Sequence, residues 1–555
     1  MKKILSIVLA FAMLLCCAAA VCAEEFVVNA SIASEPDTID PSFIYTDELF
    51  AYSLHQFENL MKYVPSDKPA DESGNVYLTE LSLGQAASVD VSEDLLTYTF
   101  TLRDDIYWSD GQPVTANDFV YSWRRYVDPN GAYGYLLGGI VLNASAIALQ
   151  EASKEELGIA ALDDKTLQIT LEAPCAYFLE VCASPYLVPL REDIVGANAN
   201  WTDPAAIVVN GPYKLSEWAH GSYLKFVKNE QYYDAANLGP DAIVFWLSDS
   251  PDAVLSAYQS GEYQFVQNYP TDKLESLQAS GDAWIDVSTS IDYLVLSSAV
   301  IPDWRVRAAM ALSVDRDNIA ANFAWGIADP ADGFVPSGIV DSTGANFADA
   351  FSELGAMYAW LQETYPDYDL SGYDGRCELA KVLYQAAVDE GAWDPNTSVV
   401  YNYRYDAQKY IAEACAANWL DVLGLNTVIE EGGWSFLYNL WDGTAGAGRT
   451  SLSIDCNDPA VYLGNMTTDS SYNYGKFSNA EYDAKITEAK ALPIGEERDA
   501  LLYAAEKQLF AEGGFPIIPL YSYANTYLNK TVKNIGYNPL GYSGYYLLQY
   551  AQPVD

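Results

Sequence analysis

The chain has 555 residues, half of them hydrophobic, with 76 acidic against 29 basic side chains and a formal charge of −47. Such a balance repels nucleic acid and anionic membranes, and the apolar content excludes an acidic disordered chain. With two histidines, no H-E-x-x-H and no G-x-S-x-G, zinc hydrolases and serine hydrolases of those types have no support.

In chain order, Lys2 and Lys3 precede an uncharged apolar run from Ile4 to Ala20, and Val21-Cys22-Ala23 forms a small-residue cleavage site. Residues 1–23 therefore read as a secretory signal peptide, too short and wrongly flanked for a membrane span. Cys16, Cys17 and Cys22 leave a lipoprotein signal as the alternative. The remainder exceeds one ordinary core, so more than one domain is expected. Cys175, Cys182, Cys377, Cys415 and Cys456 are odd in number and lack a C-x-x-C, so no specific bridge is expected.

Residues 97–102, T-Y-T-F-T-L, alternate strictly and predict a strand with Tyr98, Phe100 and Leu102 on one face. After the turn at Asp110-Gly111, Thr115 can cap a helix, with Asp118 at the third position and Phe119, Trp123 and Val127 at helical spacing. Asp128–Gly131 stops it. Residues 213–218 and 223–228 read as paired strands. Residues 377–391 and 406–423 read as helices, the second ending at Gly424 before a strand from Leu425 to Ile429. Two more helices are expected over 480–492 and 496–512, followed by an apolar, proline-punctuated stretch at 515–523. The class is mixed α/β. His55, in a helical pattern with Leu54 and Phe57, reads as packing, and His220 as a solvated turn residue.

G-T-A-G-A-G-R-T, 443–450, nearly spells a phosphate-binding loop. The segment before it looks helical, Arg449 takes the lysine place and an extended stretch follows, so the context is wrong and the glycines read as a flexible connection. The extended stretch, S-L-S-I-D-C-N-D-P-A-V-Y, carries Asp455 and Asp458. Such a pair can be catalytic acids, metal ligands, a helix cap or a cationic ligand's counter-ion. A hydrolase with two carboxylates from distant segments is not excluded by spacing.

The run L-T-Y-T-F-T-L-R-D-D-I-Y-W-S-D-G-Q-P-V-T-A-N-D-F-V-Y-S-W, 96–123, resembles the signature region of the family 5 extracellular solute-binding proteins, which include the oligopeptide and dipeptide receptors of ABC importers. Residues 34–41, 163–174, 210–218, 228–234, 305–316 and 515–521 match the family in order. The resemblance implies a bilobed α/β fold of the periplasmic-binding-protein type (type II, cluster C), with an extra domain and a hinge between the lobes. It implies lobe I from 24–60, 191–296 and 525–555, an extra domain at 61–190, and lobe II at 297–524. It also implies no catalytic residue, cofactor or metal. The expected partners are a short peptide and the permease subunits of an ABC transporter. Nucleic acid is not among them, and the chain is expected to be a monomer, exported to the periplasm or cell surface.

I-D-C-N-D-P, 454–459, aligns with a family segment of the form A-D-Y-N-E-P, which places Asp455 as the ligand for a peptide's terminal ammonium through a charge-assisted hydrogen bond. Leu452, Ser453 and Ile454 would pair with the peptide backbone, opposed by Tyr45, Thr46 and Asp47. Asp458 reads as a cap or turn acid. Arg449 matches a family arginine near the site, able to balance Asp455, and Tyr523 matches a binding-site tyrosine or packs at the hinge. Two departures stand out. Leu452 replaces an aromatic of some relatives, and Leu440 stands where oligopeptide receptors place an arginine for the ligand's C-terminus. No histidine lies near Ala407–Lys409, so Arg404 and Lys409 are substitutes by proximity. The rival readings are the same fold with an oligosaccharide, an opine-like compound or a metal chelate, and a secreted carboxylate-dependent hydrolase.

Overall fold

The computed structural model describes residues 25–554 apart from 44–48, 130–133, 324–326, 352–353, 455 and 542–544. Eleven strands form its main sheet: β1 (Val27–Ile32), β2 (Tyr213–Ala219), β3 (Tyr223–Lys228), β4 (Ala242–Leu247), β5 (Phe265–Val266), β6 (Ala283–Leu296), β7 (Ala328–Pro330), β8 (Val399–Tyr403), β9 (Thr427–Glu431), β10 (Ala447–Leu452) and β11 (Ile517–Asn529). Across the sheet the order is β9-β8-β10-β6-β11-β5-β1-β4-β3-β2, with β7 also paired to β11.

β6 and β11 are antiparallel and run through both lobes. Ile291 to Leu296 and Ile517 to Tyr521 belong to one buried core, built from 291–521. Tyr527 joins the core of the N-terminal and C-terminal segments, and Ala283 and Leu528 a smaller cluster beside it. Between these cores the β6·β11 register slips at Val287/Ile291, and it slips again just inside the 291–521 core at Asp292/Tyr293. Ser288-Thr289-Ser290 fill the first slip. The Thr289 hydroxyl donates to Pro539 O at 2.9 Å and the Ser290 hydroxyl to Gly541 O at 3.3 Å. A bulge interrupts the ladder and increases local twist, so the two strands change lobes where their pairing is weakest. The molecule is a bilobed α/β protein.

Outside this sheet, Thr97–Leu102 pairs with Ala86–Val91 and Thr166–Thr170. Tyr98, Phe100 and Leu102 are buried, as the alternation predicts. Helix α1 (Ala116–Tyr126) starts after Thr115, whose backbone N–H and hydroxyl donate to Asp118 at 2.8 and 3.1 Å. Strands Met61–Pro69 and Val76–Leu83 share a sheet with Ile535–Asn538 and Tyr545–Leu547, so the last part of the chain is woven against residues 61–83. The rings of His55, Tyr213 and Phe245 meet edge-on, a packing role for the histidine.

Helix α2 (Asp406–Leu423) has the predicted ends, and Gly424 closes it with φ of 68°. The closure also uses Leu425, whose N–H donates to Trp419 O at 3.2 Å, so the next strand begins at Thr427 rather than Leu425. The expected flexible connection at 443–450 is half strand: Ala447 to Thr450 lie in β10. A Cβ on Gly448 would fall 2.9 Å from Asn402 O, and one on Gly446 2.8 Å from Val399 Cγ1. Both glycines serve the close approach of β10 to β8.

Candidate functional site

At the lobe II end of the crossing strands, four side chains converge. Arg449 on β10 is paired by register with Leu294, one strand over from Asp292, and Asp292 is opposite Tyr521 on β11. Arg449 Nη2 lies 2.6 Å from Asp292 Oδ1 and donates to Tyr521 Oη at 2.9 Å and Tyr523 Oη at 3.0 Å. Asp292 is fully buried and Arg449 8 % exposed. Burial pushes the Asp292 carboxyl up, and the Arg449 charge pulls against it. Burial also opposes the Arg449 charge, but Asp292 and the two phenols more than offset it and raise its pKa. Arg449 is thus an interior cation whose carboxylate partner among the described residues is Asp292; the contact with Asp455 that the resemblance allows falls on a residue outside them. Tyr523 both joins this cluster and lines a cavity between the crossing strands and lobe II.

Downstream of Arg449 the chain leaves the sheet. β6 pairs with β10 from Ala447 through Leu452, but β8 pairs with it only at Ala447 and Gly448. Among the described residues, the β8-facing edge of Arg449–Leu452 therefore has no ladder partner. Leu452 and Ile454 are buried in the lobe II core, so their contribution is through backbone. Ile454 O accepts from Gly541 N at 3.0 Å, and Ser453 Oγ has no hydrogen-bond partner among the described residues. Asp455, Tyr45, Thr46 and Asp47 lie outside the described residues.

The residues after Asp455 are anchored on three sides. Asn457 donates its backbone N–H to Glu180 Oε2, accepts from Val340 N at 2.9 Å and donates to Gly338 O at 3.2 Å. Asp458 caps helix α3 (Pro459–Gly464), accepting from Ala460 N at 2.8 Å, as its place before the proline predicts. Its oxygens also take Arg498 Nη2 at 2.7 and 2.8 Å. The two acids of 451–462 therefore cannot act as a matched pair: Asp458 is fully occupied.

Beyond the carboxyl end of β8, the Arg404 guanidinium sits 3.6 Å from the centre of the Trp434 ring, and Trp434 itself is 86 % exposed. Arg404 makes no ion pair among the described residues, whereas Lys409 lies 3.7 Å from Glu413. Open α/β sheets bind ligands outside the carboxyl ends of their strands, and Arg404 and Ser453 share that edge.

Asp292, Tyr521, Asn457 and Glu180 were not singled out in the sequence. Asp292 had a signal: it is a lone acid inside the apolar run Ile291–Leu296, and a buried acid requires a cation or donors. Glu180 had none, because its partner is a backbone N–H from a distant segment. Among the described residues no set of three or more His, Cys, Asp or Glu could hold a metal, and no helix is long and apolar enough to cross a membrane.

Residues 80–474 match the model of the bacterial extracellular solute-binding proteins, family 5, and the chain belongs to that family. It is 31 % identical over 450 residues to the periplasmic oligopeptide-binding protein OppA of Salmonella typhimurium, covering 79 % of each chain. It is 28 % identical over 497 residues to the probable deoxycholate-binding periplasmic protein YgiS of Escherichia coli, covering 88 % of this chain and 86 % of that one. Among solved structures, the periplasmic murein tripeptide-binding protein MppA in its unliganded open form superposes with a TM-score of 0.76 at 26 % identity, over 92 % of this chain and 94 % of that one.

Proposed function

We propose that this protein is an exported receptor that captures short peptides by their terminal amine and backbone and delivers them to the permease of an ABC importer. It acts by binding alone, without catalysis, and works as a monomer in the periplasm or at the cell surface. The observation that carries the reading is the β8-facing edge of β10, which has no ladder partner from Arg449 to Leu452 among the described residues. An extended peptide adds to such an edge through main-chain hydrogen bonds that ignore its sequence. At the end of that edge comes Asp455, to which we assign the terminal ammonium. Tyr45–Asp47 of lobe I would close over the peptide from the other side, by rotation of 297–524 against the rest about β6 and β11. The extra domain of 61–190 stays with lobe I.

Arg404 takes the ligand's C-terminal carboxylate in this reading. An arginine seated 3.6 Å from an indole centre, with no ion pair among the described residues, keeps its fork for a planar anion. An oligosaccharide, among the alternatives named above, lacks both of these charged ends.

Thermal-shift titration with a short peptide and its N-acetylated twin tests the amine contact. The free peptide is expected to raise Tm with the logarithm of its concentration, and the acetylated one much less. Equal stabilisation by both would sink the role of Asp455. Asp455→Asn is expected to weaken the free peptide by about 2–5 kcal/mol, read by calorimetry. Deoxycholate belongs in the same titration, and stabilisation by it alone would replace the peptide reading.

A further inference from the structure

Between the crossing strands and lobe II lies a cavity of about 390 Å3, walled by β6 at Val287–Ser288, by β11 at Ser522–Ala524, by β7 and by the loop 331–337. Four carboxylates line it, from Asp329, Asp332, Asp349 and Glu506, and no Lys, Arg or His does. Asp332 is matched by Arg316 at 3.0 Å. Asp329 and Asp349 are exposed and make no ion pair among the described residues.

Glu506 differs from these three. It comes from helix α4 (Glu496–Leu509) and is 1 % exposed. Its Oε1 accepts the backbone N–H of Phe334 at 2.7 Å and of Val335 at 3.0 Å, which fixes the loop that walls the cavity. Its Oε2 has no hydrogen-bond partner among the described residues. A buried carboxyl oxygen left unpaired costs free energy that an arriving donor recovers, and a charged donor recovers most. Tyr523 lines the same cavity and receives Arg449, so the cavity adjoins the strand edge described above.

We propose that this cavity takes an ammonium or guanidinium side chain of the bound ligand, so that the receptor prefers peptides carrying lysine or arginine. The assignment rests on the peptide reading. A peptide laid along β10 reads no sequence through its backbone, and this is the place where one side chain is read. The cavity's net negative lining rejects acidic side chains and gives neutral ones no charge-assisted contact.

Isothermal titration with the full chain tests it. The probes are trialanine, the three single-lysine variants of trialanine, the matching norleucine peptides and putrescine. At one position, lysine is expected to bind about tenfold tighter than norleucine, which has the same reach without the charge. That ratio, measured within each protein, is expected to fall towards one in Asp329→Asn/Asp349→Asn and in Glu506→Gln, with thermal melts confirming that the variants fold. A ratio of one at every position in the wild type overturns the assignment while trialanine binding leaves the peptide reading standing. Binding of no peptide at all overturns both. Putrescine binding, with lysine no better than norleucine, gives the cavity to a free diamine and overturns the side-chain assignment.

Discussion

Arg498 and Arg449 each reach a buried aspartate in lobe II, but only the first pair is complete. Arg498 gives Nη2 to both oxygens of Asp458 and Nε to Ala489 O at 3.2 Å. Asp458 spends its remaining capacity on the α3 cap. Arg449 shares one nitrogen among Asp292, Tyr521 and Tyr523, and its Nε has no partner among the described residues. Asp292 meets Arg449 through the 2.6 Å ion contact and shares it with the two phenols, without the two-oxygen grip that Arg498 has on Asp458. A complete buried pair is scaffolding, since nothing can approach it without a loss. An incomplete one, beside an unpaired strand edge and a cavity, has donors and acceptors in reserve. The comparison separates what holds lobe II together from what faces the ligand.

The largest effect is expected where the pair is complete. Arg498→Met leaves Asp458 buried without its cation and should cost about 3–5 kcal/mol of stability, measured by urea unfolding. Peptide affinity of the folded fraction should stay as in the wild type. Arg449→Met is expected to cost less, about 1–3 kcal/mol at neutral pH. Burial already pushes Asp292 up, so without Arg449 it takes a proton instead of standing charged. A carboxyl with a raised folded pKa binds its proton more readily in the folded state, so this variant's deficit should shrink as pH falls. Peptide affinity should drop with it. Equal stability costs for the two substitutions, with affinity untouched by either, would erase the distinction.

What could be read from the sequence was local. The alternation at 97–102, the Thr115 start of α1, the full length of α2 and the cap at Asp458 depend on residues within a turn or two. The family blocks gave the bilobed α/β class. The partner of Arg449 was out of reach, because β6 lies far upstream and only the β6·β10 register brings Asp292 beside it. The glycines of 443–450 misled for the same reason: their spacing looks like a loop, but Gly446 and Gly448 answer to β8. Glu180 shows the limit most clearly, since no pattern within 177–181 points to a backbone N–H at Asn457.

Glu180 also offers the smallest test, a third way of burying an acid, with no cation at all. It accepts from Asn457 N and from the Tyr63 hydroxyl at 3.3 Å, and burial pushes it up to about 7. Glu506, with its two backbone donors, is likewise pushed up to about 7 by burial. In the unfolded chain both return to the ordinary value of 4.5. Between 4.5 and about 7 the folded protein therefore holds more protons than the unfolded one, so stability falls as pH rises through that window and levels above it. Tm should be higher at pH 5 than at pH 7.5. Glu180→Gln keeps an acceptor for Asn457 but cannot ionise, and should flatten that slope by on the order of 1–2 kcal/mol across the window. The Asp458 charge also pushes Glu180 up, so the two sites are coupled, and Glu180→Gln in an Arg498→Met background should remove a larger slope than in the wild type. An unchanged slope in Glu180→Gln would mean that Glu180 is charged in the fold and that Asn457 is held by a carboxylate rather than a carboxylic acid.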